Sequence, residues 1–184
     1  MNLSDMRIGT KLMAGFILVL LLATAQGLLS VVQIGAVNDK AADLADHWLP
    51  SVRQTGAIGT QASRLRALQF QHVLTTNEDE KKVIEKAMDD LLAALEQDRQ
   101  AYLSLVTDAQ ERKRLEAFEV EWKKYIAQKT EIVQLSRQRR DEEAQDLLKG
   151  PARSNFEAGM THLQALADAA NTGAQQARSE SASL

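Results

Sequence analysis

The segment SRLRALQFQH, Ser63 to His72, gathers guanidinium, amide and imidazole groups into one short run. These groups contain no recognisable nucleophile. They suit the recognition of an anion, because a planar guanidinium can hold a carboxylate bidentately and neighbouring donors can complete the cradle. Alternating steps of three and four through Leu65 connect Leu44, Trp48, Ser51, Thr55, Ile58, Ala62, Leu65, Gln69 and His72, the spacing of a helical core face. Arg66 flanks that stripe. The helix therefore places polar groups at the edge of its core, where leucine would be more stabilising.

Other chemistries have little support. The chain has no cysteine, which excludes a disulfide, a thiolate metal site and a thiol nucleophile. The sequence contains neither H-E-x-x-H nor the E-x-x-H pair of di-iron bundles, and no phosphate-binding glycine loop. The three histidines, His47, His72 and His162, fall on separate helical segments, so surface or internally satisfied roles are favoured over metal binding. No cofactor and no enzymatic activity are expected. A net charge of -3 with interspersed signs argues against a nucleic-acid partner, and 4% aromatic residues are too few for a base-stacking platform.

The elements that must position these groups begin with an apolar run, Leu12 to Ile34, which has no charged residue and is long enough to cross a bilayer as a helix. Arg7 and Lys11 precede it and favour a cytoplasmic N-terminus. This gives a cytoplasmic segment over 1–11, a transmembrane helix over 12–34 and an exported domain over 35–184, in the periplasm of a bacterium with its anchor in the inner membrane. The competing reading is a cleaved signal peptide, since Ala23-Thr24-Ala25 has a small-x-small form. Hydrophobicity that resumes from Leu28 to Ile34 favours a retained anchor.

Four helical patterns follow. The first runs to Leu74, with a bend expected at Pro50. TTNEDE supplies a stop, a turn and an acidic first turn. The second pattern carries Ile84, Met88, Leu91, Leu95, Asp98, Tyr102 and Leu105 on one stripe, and Thr107 or Asp108 can cap the next helix. The third carries Leu115, Phe118, Trp122, Tyr125, Lys129, Ile132, Ser136 and Arg139. RQRRDEEAQDLLKGP reads as a break and a short helical piece ended by Gly150-Pro151. The fourth turns Phe156, Gly159, Leu163, Leu166, Ala170, Gly173 and Ala177 inward. Short turns between long amphipathic helices predict an all-α, up-down-up-down antiparallel four-helix bundle standing on the membrane, rather than a long coiled coil. A fourth helix returning to the membrane calls for a second span after Leu184, so the chain reads as the front part of a longer protein.

Counting about 1.5 Å per residue along this bundle puts Arg66 and Lys129 at comparable heights. Arg64, Gln69, His72, Arg137, Arg153 and His162 fall in the same membrane-distal half. Converging cations need acidic partners or an anionic ligand. For any single arginine or lysine the alternative is a snorkelling surface residue.

The order of features, namely a basic N-terminus, one span, WLPSV, R-x-x-Q-x-x-H, FEVEWKKYIAQKTEIVQLSRQRRDEEAQDLLKG and a last helix opening SNFEAGMTHL, resembles the four-helix-bundle sensor domain of methyl-accepting chemotaxis proteins. The likeness runs over nearly the whole chain and rests on order and spacing. It implies a dimeric transmembrane chemoreceptor that binds organic acids or amino acids. The implied site uses arginines of the first bundle helix, here Arg64 and Arg66, with Asn155, Thr161 and His162 on the last. Many relatives carry glutamate where Gln69 stands, and the exchange favours an anion. With Lys129 and Arg137 added from the count of heights, the expected set is Arg64, Arg66, Gln69, Lys129, Arg137, Asn155, Thr161 and His162, with a small carboxylate as ligand and a homodimer as the assembly. A sensor for a histidine kinase or a cyclic-nucleotide enzyme, or a scaffolding bundle without small ligand, are the other classes.

Retention of the apolar segment is directly measurable. The intact mass of the mature protein is expected to include Leu12 to Ile34, whereas a chain beginning at Gln26 would mark the segment as a signal peptide.

Overall fold

The computed structural model describes residues 8–182; Arg7 and the remainder of 1–7 lie outside the described residues. Only helices and short connections occur among the described residues. They form two compact units, residues 8–44 with 176–182, and residues 45–175.

The first unit contains α1, Ile8–Asp43, a helix long and apolar enough to span a membrane. Its large apolar side chains from Leu12 to Ile34 are exposed, as expected of side chains that face lipid. In the same unit Lys40 pairs with Glu180 at 2.7 Å.

The bend expected at Pro50 takes the form of a π turn, Leu44–Trp48, directly before α2, Leu49–Leu74, which has the proline in its first turn. Proline lacks an N–H and crowds the preceding turn, so a regular α-helical bond cannot pass through this point. A wider turn accommodates the break without ending the helical course.

The second unit is the four-helix bundle of α2, α3 (Glu78–Leu105), α4 (Ala109–Arg137) and most of α6 (Pro151–Ala182), with the short α5 (Asp141–Lys149) between α4 and α6. Asn77 caps α3 by accepting from the N–H groups of Asp79 and Glu80 at 2.9 and 3.3 Å. Asp108, one of the two residues expected to cap α4, accepts from Glu111 N–H at 3.1 Å. Both satisfy donors that a helix start leaves unpaired. After α4, Arg139 takes a left-handed φ of 61°, while Arg140 N–H reaches Leu135 O at 3.0 Å. This is a helix-ending turn of the kind glycine usually provides.

The stripes read from the sequence form the core. Ile58, Ala62 and Leu65 of α2 are buried with Met88, Leu95 and Tyr102 of α3, Leu115, Phe118, Tyr125 and Ile132 of α4, and Leu163 and Leu166 of α6. Ala144 and Leu148 bring the apolar face of α5 into the same interior. A run of aromatic contacts, Phe118 to Trp122, Trp122 to Tyr125 and Tyr125 to Phe156, has ring separations of 5.9, 5.3 and 5.3 Å. The half-buried Trp122 and Phe156 join the two groups of core residues.

Small residues matter where helices come close. A Cβ added at Gly173 would meet the indole of Trp48 at 2.4 Å, whereas one at Gly56 would meet nothing within 4 Å. Gly173→Ala is expected to destabilise the bundle by roughly 1–3 kcal/mol through overpacking. Gly56→Ala should be neutral or stabilising by about 0.5–1 kcal/mol, since glycine is a weak helix former. Denaturant titration of the two variants checks the contrast.

Candidate functional site

Besides Ser51, Gln54 and Thr55 near its start, α2 brings polar residues into the bundle interior in two groups towards its end. The first contains Arg66 and Gln69. Gln69 is fully buried, and its Oε1 accepts from the Tyr125 hydroxyl at 2.7 Å. Arg66 Nη2 donates to the carbonyl of Leu148, in α5, at 3.1 Å. The guanidinium carbon lies 5.4 Å from the Phe70 ring centroid and 5.0 Å from that of Phe156. Such aromatic faces attract a cation and shield it from water. Burial pushes the Tyr125 phenol up to about 12, against the opposing influence of Arg66 and Gln69. The hydroxyl therefore stays protonated at neutral pH.

Two donors in this group are unspent. Arg66 Nη1 and Gln69 Nε2 are both buried and have no hydrogen-bond partner. A buried polar group without a partner is costly, and for a guanidinium the cost is larger. Both atoms are donors, and both side chains act on the Tyr125 hydroxyl. The arrangement is suited to an acceptor or an anion.

The second place lies where α2 and α4 end and α3 begins. His72 is fully buried; its Nδ1 is 3.0 Å from Ser136 Oγ and its Nε2 is 2.8 Å from Glu85 Oε1. Ser136 Oγ also lies 3.0 Å from the His72 carbonyl, to which it can donate. Lys81, a buried lysine, donates from Nζ to the Ser136 carbonyl at 2.6 Å. Arg137 Nε donates to Glu85 Oε1 at 2.7 Å, and its Nη2 contacts the other carboxylate oxygen. The Arg137 hydrogen bond is the main reason that Glu85 is held down at about 2, so it remains a carboxylate at neutral and mildly acidic pH.

The other residues singled out in the sequence lie elsewhere. Arg64 is exposed on α2. Lys129 pairs with Asp89 of α3 at 3.4 Å and Arg137 is committed to Glu85, so acids of α3 engage both cations. Asn155 Nδ2 donates to Gln128 Oε1 at 2.9 Å, tying α6 to α4. Thr161 is exposed and bonds the Glu157 carbonyl of its own helix at 2.9 Å; His162 is half-buried on α6. The exposed Arg153 pairs with Glu157 at 2.6 Å.

Of the expected set, the structure brings together Arg66 and Gln69. Tyr125 and Phe156, read from the sequence as core positions, prove to be their companions. Lys81 and Glu85 were not singled out. The one signal for Lys81 is its position three residues before Ile84, in register with the α3 core stripe.

A family model described as a four helix bundle sensory module for signal transduction matches residues 5–184. The chain belongs to that family. No curated protein matches it. The sensory module is of the methyl-accepting chemoreceptor kind, and the family's role is signal transduction. A bundle in this role must be stable enough to hold its helices in register while keeping polar groups inside, as the two clusters of α2 do.

Removing the Tyr125 hydroxyl isolates the contribution of one such group. Tyr125→Phe leaves the buried amide oxygen of Gln69 without its donor and is expected to cost about 1–3 kcal/mol of stability. Chemical denaturation beside Tyr125→Phe/Gln69→Leu tests this. The double variant, which removes both partners, should recover part of the loss.

Proposed function

We propose that the sensory module binds a small carboxylate in the periplasm and passes the event across the bacterial inner membrane through α1. The observation that carries this reading is the pair of buried, unpartnered donors, Arg66 Nη1 and Gln69 Nε2, beside the Tyr125 hydroxyl. A carboxylate offers two acceptor oxygens and a negative charge, which answers the needs of both donors. It would also compete with the Leu148 carbonyl for the guanidinium, and α5 would respond to occupancy. The apolar helix α1, preceded in sequence by Arg7 and Lys11, supports placing the bundle outside the cytoplasm. Asn155, Thr161 and His162 of α6 line the approach in this reading, and the exposed Arg64 adds positive charge on α2, while Lys129 and Arg137 are held by Asp89 and Glu85.

We further propose that the module works as a homodimer. Membrane anchoring raises the effective concentration of neighbouring chains, so a modest interface suffices. Sensing on behalf of a histidine kinase or a cyclic-nucleotide enzyme would use the same carboxylate site.

Calorimetric titration of the full chain in nanodiscs with mono-, di- and tricarboxylates and amino acids tests the site. Hydrogen bonds to charged groups are worth roughly 1.5–3 kcal/mol, so Arg66→Ala should weaken binding by about tenfold or more. Arg64→Ala, on the exposed face, should have the smaller effect. Equal affinity of Arg66→Ala and the parent would remove Arg66 from the site, and the absence of binding by every organic acid would end the carboxylate reading.

A further inference from the structure

The Ser136 hydroxyl stands at 3.0 Å from two acceptors, His72 Nδ1 and the His72 carbonyl, but has one proton to give. Which acceptor receives it depends on the charge of His72. In the neutral imidazole, the single ring proton belongs on Nε2, because Nε2 faces the Glu85 carboxylate at 2.8 Å and a lone pair there would be repelled. Nδ1 is then an acceptor and draws the Ser136 proton away from the His72 carbonyl. That carbonyl lies in the last turn of α2, where intrahelical donors run out. When a proton from solvent adds to Nδ1, Nδ1–H donates to Ser136 Oγ, and the hydroxyl proton turns to the His72 carbonyl.

We propose that His72 is a proton-binding site of the sensory module, at which protonation rewires the fastening of α2 to α4 through Ser136 and so provides an input of acidity. The inference does not rest on the carboxylate reading, since neither Arg66 nor Gln69 takes part in this cluster.

The surroundings set the direction in which the titration moves. From α3, His72 faces the Glu85 carboxylate and the Lys81 ammonium, and from α4 the Arg137 guanidinium. Glu78 of α3 stands behind these cations, 3.8 Å from Lys81 Nζ. Burial is the largest influence and disfavours the imidazolium; Glu85 favours it, and Lys81 and Arg137 oppose it. The net effect is titration below the ordinary histidine value. Glu85 cannot take the proton in its place, because Arg137 holds it at about 2.

The direction of the effect on stability follows from linkage. A histidine whose folded-state pKa is lowered takes up its proton more readily in the unfolded chain. Its contribution to stability is complete above the unfolded value of about 6.5 and declines as pH falls from there towards the folded value. Acidification therefore lowers the stability of the bundle, because the cost of charging a buried imidazole outweighs the second hydrogen bond that Ser136 then makes.

Two measurements on the full chain in nanodiscs test the proposal. The melting temperature is expected to fall between about pH 7 and pH 5, and His72→Gln, which keeps a donor but cannot charge, should lose most of that dependence. The same pH slope in parent and His72→Gln would overturn the proposal. His47→Gln/His162→Gln leaves His72 as the sole histidine, so its imidazole nitrogen resonances can be followed by NMR even if His72→Gln fails to fold. A midpoint below the ordinary histidine value of about 6.5 supports the site. An imidazole that takes up no proton before the bundle unfolds in acid, or one that titrates at the ordinary value, overturns it.

Discussion

The structure of the bundle depends on satisfying the helix ends that meet at Ser136. An α-helix leaves its last four carbonyls without internal donors, and at this point the end of α4 is inside the molecule. The solution is to bury a lysine. Lys81 Nζ supplies the Ser136 carbonyl, while the Ser136 side chain connects to both the ring and the backbone of His72. One residue of α4 thereby engages α2 and α3 together. Replacing Ser136 with a larger apolar residue would leave the His72 carbonyl and His72 Nδ1 without the hydroxyl they share, while the backbone carbonyl would still receive Lys81.

Farther along α2 the balance is different. At Gln69 the buried amide is half satisfied, and at Arg66 the guanidinium has one carbonyl, two aromatic faces and one idle donor. A structural site of this depth normally closes its hydrogen bonds, as the His72 cluster does. The contrast between the two groups, three residues apart on a single stripe, is what the carboxylate proposal is built on.

The helical course of the chain was largely legible in the sequence. Steps of three and four marked the buried faces, TTNEDE and the pair Thr107-Asp108 marked helix starts, and Pro50 marked an interruption, because each acts through the local backbone and needs no distant partner. The short helix between Arg139 and Gly150 was legible for the same reason. Polar intrusions at Gln69, His72 and Ser136 were also visible, as residues that broke an apolar stripe. Local periodicity says that a side chain faces inward, but it does not name the group it meets.

Partner choice was decided by tertiary structure. Height along the bundle grouped Arg66 with Lys129 and Arg137, yet Lys129 and Arg137 are paired with acids of α3, while Arg66 reaches a carbonyl of α5. The rotation of each helix about its own axis sets these pairings, and a few tens of degrees redirect a long side chain from one neighbour to another. Lys81 is the clearest case: its sequence context is that of an exposed acidic and basic first turn, and only the approach of the α4 terminus makes it a buried cap. The sequence by itself determined which residues are helical and which faces turn inward, since both follow from near-neighbour geometry and hydrophobicity. Only the tertiary structure decided which buried donors find acceptors and which are left open, because that depends on contacts between segments far apart in the chain.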